Sequence, residues 1–216
     1  MLQKKSVREP LWDLLVELQS FEPFINYFLV GGTALSLQLG HRISDDIDLF
    51  TRDDINKEEI LDCLDEHYKG NYQIASIQNR ILQVTINEIK VDFVKYNYDL
   101  IEDIKIDSGI KFLGINDIAA MKLMAIANRG DQAKDFFDLY FLLNEMSLSQ
   151  MLEHYKIKFK QSDITIIKRS LVYFDDITES NWKAVKLLSK NISANEVKQK
   201  LIDEVVKYSA GVIDGS

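Results

Sequence analysis

Cysteine is almost absent from this chain of 216 residues, which contains a single one, Cys63. One thiol excludes an internal disulfide and a cysteine-rich zinc site, as is typical of proteins from a reducing compartment. Long apolar runs are also lacking: none approaches the roughly 18 residues of a membrane-spanning helix, and no signal-peptide segment follows the polar N-terminus. The sequence therefore predicts a globular cytoplasmic protein that does not enter a membrane, with Cys63 as a small buried residue of a helix.

Basic residues are outnumbered, because 26 Lys and Arg against 34 Asp and Glu give a formal net charge of −8. This balance argues against binding of nucleic acid through overall charge, although it is compatible with a local basic surface. The three histidines, His41, His67 and His154, show no metal-ligand spacing, so no zinc site is predicted. A hydrophobic content of 46% is enough to bury the core of one large domain or two small ones.

Two of the nine glycines stand side by side, at Gly31 and Gly32. An apolar run over residues 27–30 precedes them, and residues 33–39 follow as a short helix that Gly40 ends. A strand, a glycine turn and a helix start, in that order, are what a phosphate pocket needs. Two neighbouring glycines let the backbone approach an anion closely, and the first N–H groups of the helix can point at a phosphate.

Residues 46–50 alternate like a strand, which places Asp46 and Asp48 on one face and leaves Asp45 to the other. Two neighbouring carboxylates repel each other, and a hard divalent cation such as Mg²⁺ between them offsets that cost. An isolated Asp-x-Asp is more often a solvated strand end. The glycine turn upstream favours a metal site here.

Both stretches together resemble the first motif of the nucleotidyltransferase-like AbiEii/AbiGii toxins, members of the polymerase-β-type nucleotidyltransferase superfamily. The matching residues are Gly31-Gly32-Thr33-Ala34-Leu35 and Arg42-Ile43-Ser44-Asp45-Asp46-Ile47-Asp48-Leu49-Phe50. The resemblance implies an α+β fold, with a mixed sheet, flanking helices and a C-terminal helical bundle. It also implies that Asp46 and Asp48 bind one or two Mg²⁺ ions.

The same motif supplies candidate contacts to a nucleoside triphosphate (NTP). The resemblance assigns the nucleotide to Gly31, Gly32 and Thr33. Arg42 and Ser44 fall inside the motif and are candidate phosphate contacts, with the alternative that Ser44 only fixes the turn before the strand.

A third carboxylate is predicted at Asp92. Residues 72–78, 81–87 and 89–95 are rich in Ile, Val and Tyr and predict an antiparallel meander, whose last strand carries Asp92 between apolar residues. The alternative without a functional role is that Asp92 lies on an edge strand and faces water. The resemblance places the third carboxylate of the family at Asp92, which would complete the metal shell and take the proton from the attacking hydroxyl.

Helical spacing dominates the second half of the chain. Residues 10–21 and 57–68 predict helices in the first half, and residues 109–113 one more strand. From Asn116, the favoured helix cap, helices are predicted over 117–129, 132–145, 149–160, 163–174, 180–190 and 194–208. The predicted domains are a nucleotidyltransferase core over 1–115 and a helical domain over 116–216 that completes the active site.

A second set of polar residues lies in the first two of these helices. Lys122 and Arg129 are seven residues apart, near one face, and Asp135 and Asp138 share a face at i,i+3. A lysine in such a helix commonly covers the core with its stem and sends its ammonium to water. The resemblance, carried by Met121-Lys122-Leu123, Arg129 and Lys134-Asp135-Phe136-Phe137-Asp138-Leu139-Tyr140, implies instead that Lys122 and Asp135 are functional and that Lys122 and Arg129 contact nucleotide phosphates.

Three lysines farther along, Lys156, Lys158 and Lys160, could follow an RNA backbone. On a helix, however, this spacing scatters them around the surface. An ordinary solvated face is the favoured interpretation.

The resemblance covers residues 28–143 and implies an Mg²⁺-dependent toxin of a bacterial toxin–antitoxin or phage-defence pair. Such an enzyme transfers NMP from an NTP, either GTP or a pyrimidine nucleotide, to an acceptor for which the 3′ end of tRNA is favoured. A separate antitoxin would regulate it. Two alternatives stay open: a nucleotidyltransferase that modifies a protein or a small molecule such as an aminoglycoside, and a module that binds nucleotide without turnover.

Overall fold

The structure, a computed structural model, describes residues 1–188 and 192–211. The chain forms two compact units. The first consists of Met1–Tyr98 and Ile104–Leu113, and the second of Asp99–Asp103 and the chain from Gly114 onward. The segment Asp99–Asp103 therefore belongs to the second unit although residues of the first flank it on both sides.

A mixed sheet of seven strands forms the centre of the first unit, in the order β3-β4-β5-β2-β1-β7-β6. The pairs β2–β5 and β1–β7 are parallel and the other neighbours are antiparallel. The strands are β1 (Phe28–Leu29), β2 (Asp46–Thr51), β3 (Tyr72–Gln78), β4 (Ile81–Ile86), β5 (Ile89–Lys95), β6 (Lys105–Asp107) and β7 (Ile110–Phe112). The mixed sheet confirms the predicted α+β fold class, and the sequence analysis missed only the three-residue strand β6.

The hairpin between β4 and β5 fixes the register of the meander. Its turn residues, Asn87 and Glu88, both have positive φ angles, of 49° and 64°. Such a two-residue turn matches the twist of the strands it joins. Ile86 pairs directly with Ile89, and counting back from there places Gln83 opposite Asp92.

Three helices flank this sheet within the first unit: α1 (Glu9–Leu18), α2 (Gly31–Leu39) and α3 (Lys57–Tyr68). Pro10 lies in the first turn of α1, where its missing N–H costs no helical bond. Gly40 ends α2 in the left-handed conformation with φ 65°. Cys63 is buried in α3, as predicted.

The second unit is helical throughout its described elements. They are α4 (Ile115–Asn128), α5 (Ala133–Leu142), α6 (Leu148–Phe159), α7 (Thr165–Leu171), α8 (Glu179–Ala184) and α9 (Ala194–Ser209). The helix predicted over 180–190 ends at Ala184, and its last two residues lie outside the described residues. The helix cap predicted at Asn116 is wrong: Gly114 caps α4, and the Asn116 N–H donates instead to Glu102 Oε1 at 3.0 Å.

The surface position predicted for Lys158 is also wrong. Lys158 is fully buried, its ammonium pairs with the equally buried Asp117, and it donates to the carbonyl oxygen of Asp99 at 3.1 Å. Asp117 further accepts the backbone N–H groups of Ile101 and Glu102. A buried cation is tolerated when it is paired and hydrogen-bonded, and this network holds Asp99–Asp103 on the second unit.

Across the described residues, no helix combines the length and the apolar character that crossing a lipid bilayer requires.

Candidate active site

Four charged side chains form a square on one face of the sheet. The parallel strands β2 and β5 pair Asp46 with Lys90 and Asp48 with Asp92. Side chains two residues apart on a strand share a face, and paired strands lie about 4.8 Å apart. The structure thus places the three predicted carboxylates at neighbouring positions of two paired strands, and Lys90, which the sequence did not indicate, occupies the fourth position.

Asp92, whose side chain is 13% exposed, has two oxygens in different surroundings. Its Oδ2 accepts from Gln83 Nε2 at 2.9 Å and lies 3.0 Å from Lys90 Nζ. Its Oδ1 is buried and has no hydrogen-bond partner among the described residues. A buried oxygen without a donor is costly, and a cation or a proton donor at that atom would remove the cost.

Lys90 lies in the field of all three carboxylates. Burial of its stem acts to lower the pKa of the ammonium. The hydrogen bond and charge of Asp92, with the charges of Asp48 and Asp46, outweigh burial and raise the pKa above its ordinary value. Lys90 is the accessible member of this pair, with 52% of its side chain exposed against 13% for Asp92.

The glycine turn lies directly against this square. Gly31 has φ +69°, and a Cβ there would stand 2.4 Å from Asp48 Oδ2. The backbone N–H of Val30 donates to the carbonyl oxygen of Asp48 at 2.9 Å, which fixes this approach. Helix α2 begins at Gly31 itself, and because Val30 has no side-chain acceptor to cap it, its first N–H groups are available to an anion.

We expect Gly31→Ala to weaken both folding and nucleotide transfer. A non-glycine residue at positive φ costs about 1–2 kcal/mol of unfolding free energy. The added methyl would also displace the Asp48 carboxylate. Urea unfolding and a transfer assay with labelled NTP measure the two losses separately.

Gly70→Ala is the matched control, because Gly70 also has positive φ (+81°) but nothing lies within 4 Å of its Cβ position. It should lose stability and keep its activity. Equal transfer by both variants would show that the contact between Gly31 and Asp48 is unimportant.

The predicted contacts at Gly32, Thr33, Arg42 and Ser44 also come together. A Cβ on Gly32 would stand 2.3 Å from Arg42 Nη2, so the guanidinium lies over the start of α2. The Thr33 hydroxyl donates to the carbonyl oxygen of Asp46 and lies 2.9 Å from Ser44 Oγ. Thr33 and Ser44 thus tie α2 to the first residue of β2, and Arg42 brings a buried positive charge to the helix start.

The donor set of the square suits a hard divalent cation, since three carboxylates supply the oxygen ligands that Mg²⁺ prefers. The orphaned Oδ1 of Asp92 is such a ligand atom. Over residues 1–188 and 192–211, no three acidic, histidine or cysteine side chains are already gathered around one point. Binding of one metal ion by all three carboxylates therefore requires rotation of their side chains.

A second charged cluster lies inside the helical unit. Lys122 Nζ is 2.6 Å from Asp135 Oδ1 and 2.5 Å from Asp138 Oδ2, and all three side chains are buried. The guanidinium of Arg129, whose side chain is 62% exposed, lies 3.7 Å from Asp135 Oδ2. Lys122 does not send its ammonium to water, because two acids one helical turn apart hold it in the interior.

Lys90 and Gln83 are the site residues that sequence reasoning missed. The signal for Lys90 is its place two residues before Asp92, on the same strand face. The signal for Gln83 is the two-residue turn, from which counting back along β4 reaches the position opposite Asp92.

Several known proteins are similar to this chain. A family model described as "Nucleotidyl transferase AbiEii toxin, Type IV TA system" matches residues 13–201. The uncharacterized protein aq_aa25 of Aquifex aeolicus is 36% identical over 167 residues, which are 74% of this chain and 80% of that protein.

Two solved structures share the fold. JHP933 from Helicobacter pylori matches with a TM-score of 0.60 and 18% identity, over 94% of this chain and 91% of its own. MenT4, a nucleotidyltransferase toxin of Mycobacterium tuberculosis H37Rv, matches with a TM-score of 0.59 and 16% identity, over 91% of this chain and 82% of its own.

Proposed function

Because this chain belongs to the AbiEii family of nucleotidyltransferase toxins and is a nucleotidyltransferase, we propose that it transfers NMP from an NTP to the 3′ end of tRNA in an Mg²⁺-dependent reaction. The observation that carries this proposal is the direct pairing of Asp48 with Asp92 beside Gly31. Carboxylates for a metal and backbone N–H groups for a phosphate are thereby adjacent. The proposed base is guanine or a pyrimidine, and a cognate antitoxin is the proposed regulator.

We assign Asp46, Asp48 and Asp92 as the residues that would hold Mg²⁺. When bound, the ion would neutralise charge on the triphosphate and on the attacking and leaving oxygens. Asp92 is also the proposed general base, since its buried Oδ1 makes no hydrogen bond within the described residues. The Asp92 carboxylate would take the proton from the acceptor hydroxyl as the hydroxyl attacks the α-phosphorus and pyrophosphate leaves.

In the first unit, we assign phosphate binding to the start of α2. The N–H groups of Gly31, Gly32 and Thr33 would donate to triphosphate oxygens, and the buried guanidinium of Arg42 would add a fixed positive charge. Ser44 supports this arrangement through its contact with Thr33 and is proposed as a positioning residue.

In the second unit, we propose that Lys122 and Arg129 contact the nucleotide phosphates. Asp135 and Asp138 hold the Lys122 ammonium in one position, which lowers the entropy cost of any contact it makes. Arg129 is the more accessible of the two cations. Asp135 is thus proposed to act by placing both Lys122 and Arg129.

Incubation with each of the four labelled NTPs, Mg²⁺ and total tRNA tests the proposal. Label on tRNA that disappears in EDTA is the expected result, and the four parallel reactions identify the base. Label on a protein or on an added aminoglycoside would replace tRNA as the acceptor. Nucleotide binding without transfer to any of these would contradict the proposal.

A further inference from the structure

A cavity of about 930 Å³ lies entirely within the helical unit, and none of the roles assigned above uses it. Its volume falls in the range of about 300–1,000 Å³ that is typical of small-molecule sites. Residues of α5, of α8 and of the start of α9 line it, together with residues 185, 187, 188, 192 and 193 between α8 and α9. The lining residues used below are Trp182, Val185, Leu188, Ile192, Asn195 and Lys198.

Two neutral polar groups of this lining can donate hydrogen bonds to a ligand, and its one carboxylate, Glu179, is paired with Lys183. Trp182 is 6% exposed, and its indole N–H is buried without a hydrogen-bond partner among the described residues. An indole N–H can only donate a hydrogen bond, so a ligand group that satisfies it must be an acceptor. Asn195, at the start of the 16-residue helix α9, adds an exposed amide and the positive end of the helix dipole.

Lys198 supplies the positive charge of the cavity. Its Nζ lies 5.2 Å from the ring centre of Trp182 and 5.6 Å from that of Phe174. No carboxylate within the described ranges forms an ion pair with it, whereas the neighbouring Lys183 is neutralised by Glu179 at 2.7 Å. The aromatic faces hold the ammonium in place but leave its charge uncompensated, which favours an anionic ligand.

The remaining walls are aliphatic and include Val185, Leu188 and Ile192. A ligand that fits both parts has an apolar face and an anionic group that accepts hydrogen bonds. We propose that this cavity binds a nucleoside phosphate, supplied either as a free nucleotide or as a nucleotide of RNA. The inference rests on the proposed function, because transfer of NMP to an RNA end brings two nucleotide units to one enzyme.

The chain has two tryptophans, so Trp12→Phe leaves Trp182 as the sole indole fluorophore. In this background and in EDTA, which prevents transfer, we would titrate each NTP and a short single-stranded RNA. A saturable change in Trp182 fluorescence is expected, and the titrant that produces it identifies the source. Lys198→Met should weaken binding about tenfold through loss of a charge-assisted contact.

Lys200→Met is the matched control, since it removes a positive charge from the same helix outside the cavity. Its binding should equal that of the Trp12→Phe parent. Asn195→Ala changes an exposed residue, cannot disturb the core, and should weaken binding about threefold.

The proposal is overturned if neither titrant changes Trp182 fluorescence, if Lys198→Met and Lys200→Met respond alike, or if laurate binds and nucleotides do not. If Trp182 fluorescence does not change but transfer to tRNA is intact, only this inference is refuted. If Trp182 fluorescence changes but no transfer occurs, only the proposed function is refuted.

Discussion

Asp48→Asn should lower the rate of nucleotide transfer on the order of a thousandfold, the loss typical when a charge that stabilises the transition state is removed. Asp48 of β2 lies directly opposite Asp92 of the neighbouring parallel strand β5. Like charges in such a position destabilise a sheet. The substitution removes that repulsion together with the attraction between Asp48 and Lys90, so the thermal unfolding midpoint without Mg²⁺ should change little. Activity and stability are therefore expected to change independently.

The same variant tests metal binding without any catalytic readout. Added Mg²⁺ should raise the midpoint of the wild-type protein, because a ligand that binds only the folded state stabilises it. Asp48→Asn should lose that rise. Asp45→Asn is the control, since Asp45 is 55% exposed and pairs only at the surface with Arg8 at 3.2 Å. Full transfer by Asp48→Asn would refute the metal assignment.

Lys122→Met should lower the free energy of unfolding by about 3–5 kcal/mol, because removal of one partner of a buried ion pair leaves uncompensated charge in the interior. Here it leaves two carboxylates, Asp135 and Asp138, both at most 1% exposed. Urea unfolding measures the loss. Lys156→Met, which breaks a partly exposed pair with Glu153, should cost no more than about 1 kcal/mol.

A triple variant, Lys122→Met with Asp135→Asn and Asp138→Asn, separates charge from packing. If the loss in Lys122→Met comes from buried negative charge, neutral amides in place of both acids should restore part of the stability. The triple variant should still lack transfer activity if Lys122 contacts phosphate. An unfolding curve for Lys122→Met that matches wild type would show that the cluster does not stabilise the fold.

The square on β2 and β5 was largely predictable because it depends on local patterns. Alternation placed Asp46 and Asp48 on one face, and three strand-forming segments separated by polar turns predicted the strand of Asp92. A two-residue turn sets register by itself, so even the position of Gln83 follows from counting. Because β2 and β5 are neighbours in the sheet, residues identified from short-range patterns lie side by side in the candidate site.

Lys158 shows where this reasoning fails. Helical spacing alone predicts a surface position, and only the buried counter-charge of Asp117, 41 residues earlier, makes burial possible. The wrongly predicted cap at Asn116 has a similar cause, since the Asn116 N–H donates a hydrogen bond to Glu102, which lies outside the helix. Pairings between distant residues leave no periodic signal, and they overrode the local preference in both cases.

The interleaved order of the two units bears on how this polypeptide folds during synthesis. Strands β6 and β7 complete the sheet, so the first unit cannot finish folding until residue 113 has left the ribosome. Residues 99–103 emerge earlier, yet their partner Lys158 is translated 45 residues after residue 113, a delay of several seconds at about 5–20 residues per second. Throughout that delay the nascent chain carries the backbone N–H groups of Ile101 and Glu102 without the complete network that later holds them in place.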